Sequence, residues 1–402
     1  MLQACGRTFY SRTLQGVNVL DGAVVAPGSP AIYTAAPVTG DRVFLIGNAS
    51  GTHIPESPQL ERAMTLIERI ENRTAEVAVI GLGYVGLPLA VRIAEVGLRT
   101  VGIDVKADRV ANINRGISDI SDISSELLAA QTKRGTLRAT TDFAAVNGVD
   151  AVIICVPTPL NKTRDPDITF IVRAAEQIGE HMKAGQLFVL ESTTYPGFTR
   201  EVLAPLLEGA SGLVAGRDFH AAFSPERIDP GNETYGVRNT TKIVGAMTEA
   251  GAAEVAALYG SFVDDVKVVS SPDCAELVKL LENTFRAVNI GLVNEVAVMC
   301  HKLGINTWEV IEAAATKPFG FMPFFPGPGL GGHCIPIDPL YLSWKLRSLN
   351  YQARFIELAD SINTAMPNHV VRLVQDALNE ASRSLKGARV MIMGVAYKRD
   401  ID

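Results

Sequence analysis

The sequence predicts an α/β protein: a Rossmann-like domain with a parallel sheet, a central helical domain with one long helix, and the start of a truncated second α/β domain. Three features predict it. From Glu76 onward, short β-branched runs alternate with amphipathic stretches, as in parallel sheets with crossover helices. An apolar face lasting about thirty residues begins near Asp273. A last apolar run, Val390–Gly394, is predicted to be the first strand of the second α/β domain.

Composition narrows the function to small-molecule chemistry. The 402 residues are 47% hydrophobic, enough for a large core divided into two or three domains. A net charge of -6 offers no broad basic surface for nucleic acid. No uncharged apolar run reaches the roughly 18 residues of a membrane-spanning helix, so no membrane partner is expected.

The cysteines indicate a reducing compartment. They are scattered without a CxxC pair, and the histidines show no ligand spacing, so no disulfide framework and no metal site are predicted. We therefore expect a cytoplasmic protein with reduced thiols. The cysteines are Cys5, Cys155, Cys274, Cys300 and Cys334.

The chain before the parallel sheet has two parts. Residues 1–60 are rich in Gly, Pro, Ser and Thr around short apolar runs, so they form an uncharacterised extension that is either a small β appendage or disordered. In residues 61–75, apolar side chains recur at helical spacing among charges, which predicts a connecting helix.

Residues 76–272 are predicted to form the Rossmann-like domain. Strands are expected at its apolar runs, with a helix after the first strand. The strands are Val77–Ile80, Thr100–Ile103, Ala151–Val156 and Leu187–Leu190, and the helix is Leu87–Val96.

A dinucleotide site is predicted where the first strand ends. Gly81, Gly83 and Gly86 are spaced as G-x-G-x-x-G between a strand and a helix. Gly81 permits the tight turn, Gly83 lets the backbone approach a pyrophosphate, and Gly86 allows close helix packing. Tyr84 and Val85 complete the turn, with the N–H of Val85 expected beside the phosphates.

Two further strand ends contribute to the cofactor prediction. Asp104 ends the second strand, where a carboxylate accepts hydrogen bonds from a ribose and repels a 2′-phosphate, so NAD is favoured over NADP. Arg109, one turn later, leaves NADP open. Thr158 follows a later strand and is a candidate ribose or nicotinamide contact, whereas Cys155 in that strand is interpreted as inert core.

A second group of candidate functional residues lies in residues 273–366, the predicted central helical and dimerisation domain. Glycines and prolines from Gly327 onward form a rigid turn around Cys334, and Cys334 and Asp338 share one face if a helix starts there. A helix N-terminus would lower the pKa of the thiol and activate a nucleophile. The alternative is a buried cysteine in a tight turn. His333 is interpreted as structural, because adjacent side chains point apart.

Four motifs together resemble the UDP-glucose/GDP-mannose dehydrogenase family over roughly residues 76–402. Residues 331–342 and 353–358 resemble the branch that acts on UDP-N-acetylglucosamine. The resemblance implies that two NAD in succession oxidise a nucleotide-sugar C6 alcohol to a carboxylate. The motifs are Gly81–Ala90, Phe223–Arg227, Ala275–Lys279 with Asn283, and Gly331–Cys334.

The resemblance also assigns the chemistry. Cys334 matches the family nucleophile, which attacks the C6 aldehyde to form a thiohemiacetal and then a thioester that water hydrolyses. Lys279 and Asn283 lie four residues apart on one face of the long helix, so both are placed to donate to the oxygen that becomes negative. Asp338 matches the acid after the cysteine and is expected to bind the water or to orient Lys279.

Glu226 matches an acid that assists thioester hydrolysis, where a carboxylate acts as general base towards water. Some UDP-glucose members have a second glutamate four residues later, where this chain has Pro230. This departure counts against a scheme with two carboxylates. Thr193 matches a loop near the nicotinamide and is expected in both the catalytic and the cofactor site.

Nucleotide-sugar contacts are expected from the central loops and from residues 367–402, the start of a truncated UDP-sugar-binding domain. Because the chain stops before that domain is complete, it is expected to bind nucleotide sugar poorly or not at all, whereas the full-length parent is expected to be active. The long helix is expected to form a homodimer, as in the family. Besides Glu226, Lys279 and Asn283, the substrate candidates are Arg238, Phe319, Phe324, Phe325, Gly329 and Lys398, with packing as the alternative for each phenylalanine.

Three alternatives stay open. The same reaction on UDP-glucose, UDP-N-acetylmannosamine or GDP-mannose fits, since motifs at the reaction centre barely sense the C2 substituent or the base. A simple two-electron dehydrogenase would leave Cys334 structural. An inactive truncated NAD-binding relic would leave the whole catalytic set unused.

Overall fold

The computed structural model of the protein describes residues 64–228, 232, 234–332 and 334–394, together with four short strands near the N-terminus. The chain divides into two units, Met1–Ala63 and Met64–Asp402. The first unit contains strands β1 (Asn18–Leu20), β2 (Ala23–Val25), β3 (Tyr33–Ala35) and β4 (Leu45–Ile46). They pair in that order as an antiparallel sheet, which corresponds to the first of the two alternatives for residues 1–60.

The second unit is built on an eight-stranded sheet. Its strands are β5 (Glu76–Ile80), β6 (Arg99–Ile103), β7 (Leu137–Thr140), β8 (Ala151–Ile154), β9 (Leu187–Leu190), β10 (His220–Phe223), β11 (Lys242–Ala246) and β12 (Val266–Val268). Their spatial order is β12-β11-β10-β9-β8-β5-β6-β7. The strand order reverses at β5, between β6 and β8, and open α/β sheets bind ligands at such a switch point. The predicted fold class and all four predicted strands are confirmed.

Strand direction decides which residues share the ligand-binding edge. Neighbouring strands from β7 to β10 run parallel, whereas β11 runs antiparallel to β10. The first residue of β11, Lys242, therefore lies at the edge where β5, β8, β9 and β10 end. Lys242, although it begins its strand, therefore lies at the same edge of the sheet as the residues that follow the parallel strands.

Helices cover both faces of the sheet and build the second half of the unit. Alternate residues of β5 enter two separate cores, Val77 and Val79 on one face and Ala78 and Ile80 on the other. A 3₁₀ helix spans Phe143–Gly148 and a π-helical turn spans Thr199–Leu203. The α-helices are α1 (Leu66–Glu71), α2 (Gly86–Glu95), α3 (Ala107–Asn114), α4 (Ser125–Arg134), α5 (Thr169–Gly179), α6 (Ala204–Ser211), α7 (Glu249–Gly260), α8 (Pro272–Leu303), α9 (Thr307–Ala315), α10 (Asp338–Arg347) and α11 (Arg354–Glu380).

Two helices predicted from the sequence are formed. The first is shorter than predicted, and the second has about the predicted length. α1 occupies only the centre of the predicted connecting helix, because a capping box between Thr65 and Glu68 begins it and Arg73, at φ 59°, follows its end. The long helix is confirmed as α8, of 32 residues. Ser271 caps it by accepting the N–H of Cys274, and Gly304 ends it at φ 68°.

The strand predicted at Val390–Gly394 is not formed. In the described part of the chain this segment follows α11 without regular structure, and Ile392 is 80% exposed. An apolar run becomes a strand only where a neighbouring strand satisfies its backbone, and the described residues provide none beside it. The predicted boundary between residues 366 and 367 lies within α11, which continues through it. Within the described residues, no helix has both the length and the apolar character needed to cross a membrane.

Candidate active site

The glycine turn after β5 has the shape that a pyrophosphate requires. Gly81 has a φ of 88°, and a Cβ there would lie 2.8 Å from the carbonyl oxygen of Cys155. A Cβ on Gly86 would lie 1.9 Å from the carbonyl oxygen of Gly81. A Cβ on Gly83 would meet no described atom within 4 Å, so the backbone there faces open space. Two glycines thus permit the tight turn and the third leaves room for a ligand, which fits NAD.

Asp104 and Arg109 lie together at the adenosine end of this site. The carboxylate of Asp104 accepts the N–H of Leu82 at 2.8 Å and that of Lys106 at 2.9 Å, and it is 9% exposed. The guanidinium of Arg109 lies 4.0 Å from Asp104 and donates to Asp119 at 2.8 and 3.0 Å. Because Asp119 engages Arg109, the structure favours a ribose hydroxyl over a 2′-phosphate.

The loop that carries Thr158 is held by the central domain. The hydroxyl of Tyr341, on α10, donates to the carbonyl oxygens of Thr158 at 3.0 Å and Pro159 at 3.2 Å. Tyr341 is fully buried. The central domain therefore sets the position of a loop beside the predicted nicotinamide site, and sequence reasoning did not single out this tyrosine.

Cys334 lies in the turn that enters α10. Its carbonyl oxygen accepts the N–H of Ile337 at 3.0 Å and that of Asp338 at 2.8 Å. Burial, followed by the charge of Asp338, raises the pKa of the thiol, while the charge of Lys279 and hydrogen bonding with Tyr84 oppose the rise. The expected lowering of the pKa by a helix N-terminus is wrong for this structure, since α10 begins only at Asp338 and burial outweighs it.

Three catalytic candidates belong to the region around Cys334: Asn283, Asp338 and Lys279. Asn283, on α8, donates from Nδ2 to Oδ2 of Asp338 at 2.6 Å. Burial raises the pKa of Asp338 to about 6, although Lys279 and Asn283 oppose the rise. Lys279 is 8% exposed and donates to the backbone carbonyl of Glu226. Helix α8 thus carries both predicted donors, and each contacts a residue whose charge acts on Cys334.

Glu226 follows β10, in a loop that is anchored at two points. Arg227 donates to the carbonyl oxygen of Thr241 at 2.6 Å and to Glu282 on α8 at 2.7 Å. The Glu226 carboxylate accepts the N–H of Ile228, and its charge contributes to the raised pKa of Cys334. These contacts keep the predicted general base near the thiol.

Tyr84 connects the cofactor turn with the reaction centre. It belongs to the glycine turn after β5. Burial raises the pKa of Tyr84, and the charge of Cys334 and a hydrogen bond with Cys334 raise it further. Tyr84 therefore lies where the glycine turn meets the turn that carries Cys334. Hydride transfer to a cofactor requires such a junction.

The glycine-rich loop before Cys334 is fixed by two buried asparagines. Asn294 on α8 accepts the N–H of Gly327 at 2.9 Å and donates to Asn363 on α11 at 2.9 Å. Gly329 has a φ of 129°, and a Cβ there would lie 3.2 Å from the carbonyl oxygen of Asn363. The loop is packed so closely on α11 that glycine is required at this position.

Other predicted residues lie away from these contacts or outside the description. Arg238 is exposed and pairs with Asp264 at 2.9 Å. Phe325 stacks on Trp308, Phe324 packs against Phe285, and Phe319 lies under the Lys317 amine. Pro230, His333 and Lys398 lie outside the described residues. Within the described residues, no group of three or more acidic, histidine or cysteine side chains is placed to hold a metal ion.

Three polar residues near the ligand-binding edge were not predicted: Glu191, Lys242 and Thr194. Glu191 directly follows β9 and pairs with Lys242 at 2.9 Å. Thr193 is half-buried beside Thr194, whose hydroxyl is buried and has no partner among the described residues. A charged residue immediately after an apolar strand was the available signal for Glu191, because ligand sites collect there.

Comparison with known proteins agrees with this geometry. Residues 75–263 match the NAD binding domain of the UDP-glucose/GDP-mannose dehydrogenase family, and residues 273–365 match its central domain. The chain is 40% identical to UDP-N-acetyl-D-glucosamine 6-dehydrogenase of Pseudomonas aeruginosa, over 81% of this chain and 76% of that one. It is 35% identical to NDP-N-acetyl-D-galactosaminuronic acid dehydrogenase of Ralstonia solanacearum, over 81% and 76%. A UDP-D-ManNAc dehydrogenase structure from Pyrococcus horikoshii superposes with a TM-score of 0.72 at 38% identity, over 77% of this chain and 72% of that one.

Proposed function

Because the chain belongs to the UDP-glucose/GDP-mannose dehydrogenase family, we propose that it oxidises C6 of UDP-N-acetylglucosamine to the uronic acid through a thioester on Cys334. The chain is an NAD-dependent oxidoreductase of this family. One observation supports the thioester route: Lys279, Asn283, Asp338 and Glu226 gather around Cys334 beside the NAD-binding turn. When bound, NAD accepts the hydride released in each of the two oxidations.

The protein's own residues supply the covalent chemistry. Cys334 attacks the C6 aldehyde, and the charge of Lys279 favours the thiolate against the burial that raises the thiol's pKa. Lys279 and Asn283 then donate to the oxygen that becomes negative, in place of their present acceptors, the backbone carbonyl of Glu226 and the carboxylate of Asp338. Asp338 orients Asn283 and, with a pKa of about 6, is mostly ionised at neutral pH.

Hydrolysis of the thioester is assigned to Glu226. A carboxylate within reach of the bound acyl group removes a proton from water as the water attacks the carbonyl carbon. Thr193 is proposed to contact the nicotinamide at the end of β9. Arg238, Phe325, Gly329 and Lys398 are proposed substrate contacts from the surrounding loops and the last residues of the chain.

Counting NADH tests the route. With NAD in excess and limiting UDP-N-acetylglucosamine, the thioester route releases about two NADH per sugar, and a two-electron dehydrogenase about one. A Cys334→Ser variant is the matched control and is expected to form no uronic acid. An NAD-binding relic would release no NADH from any of the nucleotide sugars.

A second substrate is favoured by a specific observation. The likeness to the Pyrococcus horikoshii UDP-D-ManNAc dehydrogenase, at 38% identity, makes UDP-N-acetylmannosamine the nearest alternative. UDP-glucose and GDP-mannose follow. Comparing kcat/KM for the four sugars decides among them, and a higher value for any sugar other than UDP-N-acetylglucosamine would overturn the substrate assignment.

We also propose a domain assignment, a homodimer and a cytoplasmic location. Residues 76–272 form the NAD-binding domain, 273–366 the central domain and 367–402 the start of the UDP-sugar-binding domain. On α8, Leu281 and Leu303 are 62% and 70% exposed, which supports a partner for this face. A nucleophilic free thiol and a nicotinamide cofactor fit the reducing cytoplasm.

A further inference from the structure

A buried charged group lies behind Glu226, outside the chemistry described so far. Glu191 and Lys242 are 1% and 7% exposed, and Lys242 Nζ lies 2.9 Å from Oε1 of Glu191. The hydroxyl of Tyr259, on α7, donates to the same oxygen. Glu191 directly follows β9, Lys242 begins β11 and Tyr259 lies on α7, so the fold brings together residues that are far apart in sequence.

Stability does not account for this group. A buried ion pair costs both side chains their hydration, and apolar side chains of similar volume are often at least as stabilising. The residues that precede Glu191 and follow Lys242 on their strands are apolar and fully or largely buried. In addition, Oε2 of Glu191 is buried and has no partner among the described residues. Such a group therefore calls for a role other than packing.

Lys242 faces Glu226 from the other side of the pair. Its Nζ lies 3.7 Å from Oε2 of Glu226, while the other carboxylate oxygen accepts the N–H of Ile228. Burial alone would lower the pKa of Lys242, but the charges of Glu191 and Glu226 raise it overall, so the amine stays charged. Both oxygens of Glu226 are thus held, one by a backbone N–H and one by a buried cation.

We infer that Lys242, held in place by Glu191 and Tyr259, is a positioning residue that keeps the Glu226 carboxylate aimed at the water that hydrolyses the thioester. This inference rests on the proposed role of Glu226. In that step the water oxygen bonds to the acyl carbon and Glu226 takes the water's proton. The carbon–sulfur bond then breaks, the product leaves as the acid, and the proton returns to the Cys334 thiolate.

The Lys242→Met variant tests this inference by separating the steps of the reaction. The full chain is mixed with NAD and UDP-N-acetylglucosamine, and the Cys334 adduct is followed by intact-protein mass spectrometry while NADH is recorded by absorbance. We expect the first burst of NADH to be retained and decay of the adduct to slow on the order of tenfold, less than the loss of a general base itself. Lys242→Arg keeps the cation and is expected to restore most of the decay rate.

Gln186→Leu is the matched control for a buried polar residue. Gln186 directly precedes β9, at the opposite edge of the sheet from Glu191. It is fully buried and donates to the carbonyl oxygens of Val146 and Val149 at 2.7 and 2.9 Å. Its replacement is expected to lower stability without accumulation of an adduct. If Lys242→Met does not fold, the double variant Glu191→Gln, Lys242→Met removes both charges and carries the same test.

The outcomes separate the two proposals. An adduct that decays at the wild-type rate in Lys242→Met, or a variant that slows burst and decay equally, overturns the positioning role. If Glu226→Gln fails to accumulate an adduct, the proposed role of Glu226 is itself wrong. An adduct that persists in Glu226→Gln but not in Lys242→Met refutes only the inference about Lys242.

Discussion

Replacing Glu276 by glutamine is expected to remove a pH dependence of stability that arises from one buried carboxyl group. Glu276 lies on α8 with no exposed surface. It accepts the N–H of Gly197 at 2.6 Å and both the N–H and the hydroxyl of Thr199, at 2.9 and 2.7 Å. These bonds fasten the turn after Thr193 to the long helix. Burial raises the pKa of Glu276 from 4.5 to about 7, although the hydrogen bonds oppose the rise.

The sign of the effect follows from proton binding. Between the two pKa values the folded protein holds a proton on Glu276 that the unfolded chain has released. The stability that this group contributes is therefore fully present below about pH 4.5 and is lost as the pH rises through about 7. The difference between a pKa of 4.5 and one of about 7 corresponds to about 3 kcal/mol. The glutamine variant is neutral throughout and lacks this loss.

Urea unfolding at pH 5 and pH 8.5 measures the effect. Fluorescence of Trp344 reports on the relevant turn, because its ring lies 5.1 Å from that of Tyr195. Between the two pH values, the wild type is expected to lose about 2.5 kcal/mol more unfolding free energy than Glu276→Gln, because part of the loss has already occurred at pH 5. Glu295→Gln, at an exposed position on the same helix, is the control and should follow the wild type. Equal losses in wild type and Glu276→Gln would refute the reasoning.

Three further predictions concern the thiol, the cofactor turn and the dimer. Asp338→Asn removes a charge that raises the pKa of Cys334, so iodoacetamide should alkylate the thiol faster at pH 8; a rate no faster than that of wild type, by peptide mass spectrometry, would contradict this. In Gly86→Ala the added Cβ would lie 1.9 Å from the carbonyl oxygen of Gly81, so the affinity for NAD measured by calorimetry should fall by on the order of tenfold or more, and unchanged affinity would count against the assigned turn. Leu281→Glu places a charge on the exposed apolar face of α8 and should yield monomers in sedimentation velocity; dimers that persist at low concentration would place the interface elsewhere.

Local patterns predicted the first half of the large unit well. The strands β5, β6, β8 and β9 are short apolar runs bounded by turn residues, and the G-x-G-x-x-G spacing depends on backbone conformation that few other residues adopt. The length of α8 followed from one continuous apolar face of about thirty residues. These features depend on residues that are close together in the sequence, so they could be predicted without knowledge of tertiary contacts.

The features that were missed depend on residues far apart in the chain. The pairing of Glu191 with Lys242 arises because β11 runs antiparallel beside β10, and sequence periodicity carries no strand direction. The raised pKa of Cys334 comes from burial and from the charge of Asp338, which a motif cannot report. The run Val390–Gly394 has the composition of a strand, but no described strand lies beside it to complete its hydrogen bonds.

Intact-protein mass spectrometry of the Glu226→Gln variant, incubated with NAD and UDP-N-acetylglucosamine, tests the covalent route most directly. We expect a mass increase equal to the acyl group of the UDP-linked uronic acid, located by peptide mapping on Cys334, with no such increase when Cys334→Ala is added. An unmodified thiol in the first variant, together with undiminished uronic acid formation by Cys334→Ala alone, would contradict it.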